Sequence, residues 1–284
     1  MTGPDFFRAF LFEQLDIRAA LVRLGPSWEA MQAGRGYAAP VLGLLGEMAA
    51  VSVLIGANLK HVGRLTFQLK GDGPVGMLVM DCDEQLRLRG MARCGEGIPV
   101  APVPELLGDG QLILSLDAMG MSQPYQSLVP IDGDSIAAIF EHYLLRSEQQ
   151  PTRLFLAADA HGATGLFLQK LPDADARDPD GWDRVQCYAE TVRPDELNTL
   201  SMETLLTRLF PDEAIRLFDP RPVVYHCPED WEKVRGMLQT LGHAECKSML
   251  REQGEISIQD EICNHRYRFS AADIDALFAP RTVH

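Results

Sequence analysis

Two short stretches near the C-terminal end carry the side chains with the most chemistry to offer. Tyr225-His226-Cys227-Pro228-Glu229-Asp230 and Asp260-Glu261-Ile262-Cys263-Asn264-His265 each hold one cysteine and one carboxylate at knuckle spacing. A C-x-C pair followed after roughly thirty residues by C-x-x-C would place four thiolates around a zinc ion, whose borderline-soft character they match and whose charge they neutralise. Only the outer cysteine of each pair is present. Glu229 stands at the second position of the first pair and Asp260 at the first position of the second, so the candidate metal set is Cys227, Cys263, Glu229 and Asp260. The two carboxylates keep the negative charge but are harder ligands, which lowers affinity for zinc. His226, His243 and His265 are nitrogen donors that can substitute. With Cys227, Cys263 and one carboxylate as three ligands and a water in the fourth position, the same residues would describe a metal-dependent enzyme.

A compact module must position these ends. Asp230 can cap a helix with Trp231, Val234, Leu238 and Leu241 on one face and Gly242 as its stop. A second helix through Met249-Leu250 ends near Gly254, and residues 255–259 and 266–269 read as a hairpin around Cys263. Ser270 with Asp273 opens a terminal helix as a capping box. So small a module has few core residues and needs a staple.

Ahead of it, residues 171–232 contain fifteen acidic and six basic residues, a net of -9 out of -14 for the chain. Met202, Leu205, Leu206, Leu209 and Phe210 fall at helical spacing, so this acidic stretch is predicted to form short amphipathic helices rather than disorder. The chain as a whole has 284 residues, 46% hydrophobic, with 26 basic against 40 acidic side chains. That balance opposes binding to nucleic acid or an anionic membrane. No secretory signal is apparent at the N-terminus, which makes a cytoplasmic location the default. Six cysteines in a reducing compartment then argue for free thiols or metal ligands. Cys82, Cys94, Cys187 and Cys246 have no partners by spacing and are expected to be buried, inert thiols, with Cys246 singled out for its nearness to His243.

The first part reads as an α+β core ending near Leu171-Pro172. Residues 5–35 suit short strands and a loop. A helix from Pro40 to about Leu59 follows; Glu47 interrupts its apolar run, which favours a buried helix over a membrane span. Leu65, Phe67 and Leu69 alternate with polar residues as in a half-buried strand. Gly71-Asp72-Gly73-Pro74-Val75-Gly76 satisfies G-x-G-x-x-G, but Met77-Leu78-Val79-Met80 continues as a strand, so a hairpin is predicted and no nucleotide site. Further strands are expected at 85–89, 111–117, 126–130, 153–159 and 163–169, with a helix capped by Asp134 and buried through Ile136, Ile139, Phe140, Tyr143 and Leu144. Glu148, in Ser147-Glu148-Gln149-Gln150, can be imagined as a catalytic acid; its place at a helix end before Pro151 favours a structural use.

In order and spacing, Gly56-Ala57-Asn58-Leu59-Lys60, Leu65-Thr66-Phe67-Gln68, Gly71-Asp72-Gly73-Pro74, Ser147-Glu148-Gln149-Gln150-Pro151-Thr152 and Leu168-Gln169-Lys170-Leu171-Pro172 resemble the redox-regulated chaperones of the Hsp33 family, as do the knuckles and the Leu241-Gly242 stop. The resemblance implies a core domain over 1–175, a linker over 176–225 that lies on apolar surface, and a zinc and redox module over 226–284. It implies a non-enzymatic holdase that binds unfolded clients, forms dimers when active and uses no nucleotide. It also implies a switch in which oxidants turn zinc-bound thiolates into one disulfide per knuckle, and here neither knuckle has a second thiol. The one disulfide left to the pair is Cys227 to Cys263, which would staple the module rather than open it. The rival reading is an interaction or adaptor protein of the same fold without redox regulation.

Overall fold

The computed structural model describes residues 4–58, 62–118 and 125–279. Its contacts divide the chain into two compact units, Met1–His226 and Cys227–His284.

Two sheets, antiparallel except where β12 joins β5 in parallel, and a central helix build the first unit. One sheet runs β10-β1-β2-β9-β8, with β1 Phe6–Phe12, β2 Ile17–Leu24, β8 Thr152–Ala158, β9 Ala163–Lys170 and β10 Ile215–Leu217; β11 (Arg221–Pro222) also pairs with β1. The other runs β12-β5-β4-β3-β6-β7, with β3 Val62–Gly71, β4 Val75–Asp83, β5 Arg87–Cys94, β6 Gly110–Ala118, β7 Tyr125–Pro130 and β12 Val224–Tyr225. Helix α1 (Pro26–Gln32) begins at the proline expected only to mark a turn. Helix α2 (Ala39–Gly56) is long and apolar enough to cross a bilayer, yet thirteen of its eighteen residues are buried, packed against strands of both sheets. It stops before Leu59, which lies outside the described residues.

The second sheet obeys the half-buried rule. Leu65, Phe67 and Leu69 face the core beside Leu78, Met80 and Leu112. The predicted hairpin joins β3 to β4. Its glycines are required by a close backbone approach, because a Cβ at Gly71 or Gly73 would collide with the main chain of Leu107. Strand β5 starts later than residue 85: the Asp83 carboxylate accepts from the amides of Gln85 and Arg87, and Leu86 takes a φ of 58°, so the turn uses those residues. After α3 (Val103–Leu107), helix α4 (Ile136–Glu148) is capped by Ser135, whose Oγ accepts from Ala138 N, and not by Asp134.

The first sheet is different, being apolar on both faces. Phe7, Ala20, Val22, Leu154 and Phe167 point into the central core, whereas Phe10, Phe12, Ile17, Leu21, Leu166 and Leu168 point the other way. Strands covered on both sides read as nearly continuous apolar runs, which is why this region does not alternate cleanly in sequence. Four short helices lie over or beside the outer face: α6 Gly181–Ala189, α7 Pro194–Thr199 and α8 Met202–Leu209 bury it, and α5 Ala174–Arg177 packs beside α6 at its margin.

In the second unit, α9 (Trp231–Leu241), α10 (His243–Gln253), the hairpin β13 (Ile256–Asp260) and β14 (His265–Phe269), and α11 (Ala271–Leu277) surround a core of Val234, Leu238, Cys246, Leu250, Ile256, Tyr267, Phe269 and Ile274.

Candidate functional site

The two knuckles meet. Cys227 and Cys263 form a disulfide with their Cα atoms 5.6 Å apart, inside the range such a bond requires. The carboxylates beside them each bond groups of their own knuckle. Asp260 Oδ1 accepts from the amides of Ile262 (3.0 Å) and Cys263 (3.3 Å), which folds the turn that presents Cys263, and Asn264 completes it with a φ of 59°. Glu229 Oε2 accepts from Trp231 Nε1 at 2.7 Å. Asp230 caps α9 through Lys233 N, and its own amide donates to the Tyr267 hydroxyl at 2.8 Å, tying the first knuckle to β14. Trp231 stacks edge-on against Tyr267 with ring centroids 4.9 Å apart.

In this arrangement the four side chains do not make a donor set for zinc. Both sulfurs are spent on one another, Asp260 holds a turn and Glu229 holds an indole N–H. Among the described residues no three His, Cys, Asp or Glu side chains gather as a metal would need. The three-ligand enzyme arrangement loses its sulfur donors for the same reason. Of the histidines, His243 sits beside Asp275 at 3.4 Å, and His265 leaves Nδ1 buried without a partner. Cys246 is fully buried in the module core, its thiol directed to the Leu238 carbonyl rather than to His243.

The remaining cysteines do not form one class. Cys82 is buried, and burial pushes its thiol up to about 12, with Asp83 and Asp81 adding to the effect against Arg221. Cys94 is half-buried and Cys187 lies exposed on α6, against the expectation that both are buried. Glu148 has a structural role: it pairs with Arg18 (3.6 Å) and accepts from Gln169 Nε2 (2.9 Å) in a network that also satisfies Thr152.

A second candidate surface is the outer face of the first sheet. Trp182, Val185, Leu197, Met202, Leu205, Leu209 and Phe210 bury it, and Phe12 meets Phe210 edge-on at 4.9 Å. None of the four covering helices exceeds nine residues. Isolated helices shorter than about twelve residues are marginal in water, so these exist by virtue of docking. Polar contacts hold their rim: Arg8 with Glu203 (3.1 Å), Arg153 with Glu190 (3.2 Å) and Lys170 with Asp175 (2.6 Å). Arg23 reaches up from β2 to donate to the carbonyls of Leu197 (3.0 Å) and Leu200 (2.6 Å), and burial lowers its pKa while Glu203 opposes the shift.

An extended strap over 214–226 was not anticipated from the sequence. It runs along the free edge of β1 as β10 and β11, then along β5 as β12. Arg221 pins it, donating to the carbonyls of Ala57 (3.3 Å) and Glu84 (2.8 Å) with its guanidinium over Phe7. Its strands of two or three residues carry too little pattern to be read; the run Phe6-Phe7-Arg8-Ala9-Phe10-Leu11-Phe12 is the signal that β1 needs cover on every side.

A family model described as Hsp33 protein matches residues 5–270. The 33 kDa chaperonin of Methylobacillus flagellatus is 38% identical over 100% of this chain and 97% of its own length, and that of Chromobacterium violaceum 38% identical over 98% and 95%. Among solved structures, the 33 kDa chaperonin (heat shock protein 33 homolog) of Thermotoga maritima shares the fold with a TM-score of 0.82, covering 96% of this chain and 97% of that one at 21% identity. The α+β core, the helices on its first sheet and the knuckled C-terminal unit thus belong together, and the chain is a member of the Hsp33 family of molecular chaperones.

Proposed function

We propose that the chain is a holdase whose client surface is the outer face of the first sheet, with α5 to α8 as its lid and the strap along its edge. What supports this reading is the mismatch between that face and its cover. The face presents Phe10, Phe12, Ile17, Leu21, Leu166 and Leu168, each worth about 1.5–3 kcal/mol when buried, whereas the cover is four helices too short to persist alone. Unfolded chains expose the same kind of surface and can replace the lid by non-directional burial, without nucleotide or catalytic residue. The concentration of acidic residues in 171–232 adds like-charge repulsion to the lid once its rim contacts with Arg8, Arg153 and Lys170 are broken.

In this reading the C-terminal module has an altered redox sense. A peroxide can take two hydrogens from the Cys227 and Cys263 thiols, giving the disulfide and water. Neither knuckle can form an internal disulfide, because Glu229 and Asp260 occupy the partner positions. Oxidation then closes the module, and reduction loosens it. The test is aggregation of a thermally unfolding protein at stoichiometric chain, with and without prior mild heating, in peroxide and in reductant. Suppression that depends on heating and does not require peroxide is expected. No suppression under any of these conditions would overturn the holdase reading.

A further inference from the structure

Strand β1 has two edges with different partners. One pairs with β2 through seven residues in register; the other carries only the strap, with Leu217, Arg216 and Ile215 opposite Phe10, Leu11 and Phe12, and Pro222 and Arg221 opposite Phe6 and Phe7. The strap is a poor strand by itself. Pro220 and Pro222 lack amide donors, and β10 and β11 have three and two residues. Its β10 end depends on the lid. Ile215 and Leu217 share with Leu206 and Phe210 of the lid a groove of about 300 Å³, and Arg184 of α6 pairs with Glu213 at 2.9 Å. When the lid lifts, this end of the strap loses its support.

The edge so uncovered is a ready template. Glu13 N donates to Ala214 O and Phe218 N to Ala9 O, so the odd-numbered residues of β1 turn their N–H and C=O groups toward the strap. Ile215 and Leu217 lie on the same face as Phe12 and Phe10, the face proposed to receive clients. The strap is therefore seated as an extended peptide would be, with ladder bonds on the edge and alternate apolar side chains on the exposed sheet. We propose that the β1 edge is a strand-addition site for extended segments of unfolded polypeptide with apolar residues at alternate positions, and that the strap is its resident occupant in cis. This rests on the lid reading above. Backbone pairing adds affinity without sequence preference, and the flanking face selects apolar side chains.

Hydrogen–deuterium exchange on the full chain separates the two ideas by reading residues 5–13 and 181–209 together. Mild heating alone is expected to cost 181–209 its protection and, within 5–13, to open the odd-numbered amides that face the strap, which are the ones read here, while the even-numbered amides stay bonded to β2. With a denatured test protein bound, protection returns at 5–13 while 181–209 stays open. If 5–13 remains open in the complex, strand addition is overturned and the lid reading stands. If 181–209 stays protected with client bound, both are overturned. Protection at 5–13 without client, with doubled mass, assigns the edge to a second copy of this chain and overturns the client assignment. Leu11→Pro gives an independent check, because it removes a ladder amide from the edge and weakens the strap together. Loss of client capacity despite faster exchange at 181–209 is expected, and retained capacity overturns the proposal.

Discussion

The lid and the C-terminal module are both too small to stand on their own chemistry, and they are held in opposite ways. The lid spreads short helices over an apolar sheet and has no core apart from it; Leu205 and Trp182 are buried in one cluster with the β-strands beneath. The module has its own core of eight buried side chains and a covalent bond across its two knuckles. A docked cover is released by competition for the surface beneath it, since anything that binds that surface displaces it. A stapled module is insensitive to such competition and answers to reductant instead. In the proposed reading one chain holds a competition-sensitive element and a redox-sensitive element in sequence, and with a single cysteine in each knuckle the second has no thiol pair through which oxidation would open it.

The largest effect expected is on the staple. Closing a loop of 36 residues restricts the unfolded chain by about 4 kcal/mol. Cys227→Ser should therefore make residues 227–284 sensitive to limited proteolysis while residues 1–226 keep their protection. Equal resistance with and without the disulfide would break the contrast, since the module would then stand on packing alone. Next comes Leu205→Ala on the lid. Leu205 is fully buried, and removing its branched end costs about 2–5 kcal/mol of docking. Exchange at 181–209 should rise and aggregation suppression should appear at a lower temperature, with the module unchanged.

How much of this was legible in the sequence follows the same division. Module elements with caps and breakers were readable, because Asp230, Gly242, Gly254, Ser270 and Asp273 act locally and mark their ends. The half-buried strand around Phe67 was readable from its alternation. Strands β1 and β2 were harder, because burial on both faces erases period-two patterning and leaves runs such as Ala19-Ala20-Leu21-Val22. The strap was illegible for a different reason: its pairing partners lie some two hundred residues away, and nothing within a few residues of Leu217 specifies Phe10. At the candidate site, spacing identified Cys227, Cys263, Glu229 and Asp260, but the duties of the two carboxylates depend on the Trp231 indole and the turn amides that follow Asp260.

A pH experiment separates the two units further. Burial raises the Glu47 carboxyl to about 7. In the unfolded chain it titrates near about 4.3, so below that both states carry the proton and Glu47 has no effect on stability. Between the two values the folded chain keeps a proton that the unfolded chain has released, and stability falls as pH rises, by about 4 kcal/mol once above the folded value. Glu47→Gln should then raise the melting temperature of the first unit at about pH 8, with the gain fading toward about pH 4. The module's reductant sensitivity should not change with this substitution.

The smallest effect is the most discriminating for the staple. Asp230 accepts from Lys233 N at 2.9 Å, and Asp230→Ala removes that cap at a cost of about 1 kcal/mol. In the disulfide-bonded chain the first turn of α9 frays while the rest of the module holds, because Cys227 still ties its start to the β13–β14 turn. In the reduced chain the same 1 kcal/mol falls on a module that has already lost several, and it should move the whole unit's unfolding midpoint. Amide exchange across residues 231–269 under both conditions gives the comparison: loss confined to the start of α9 when oxidised, loss spreading to Ile256 and Phe269 when reduced. If the loss stays local in both, the small core of the module holds without its covalent bond, and the reductant sensitivity assigned to this unit has no physical basis.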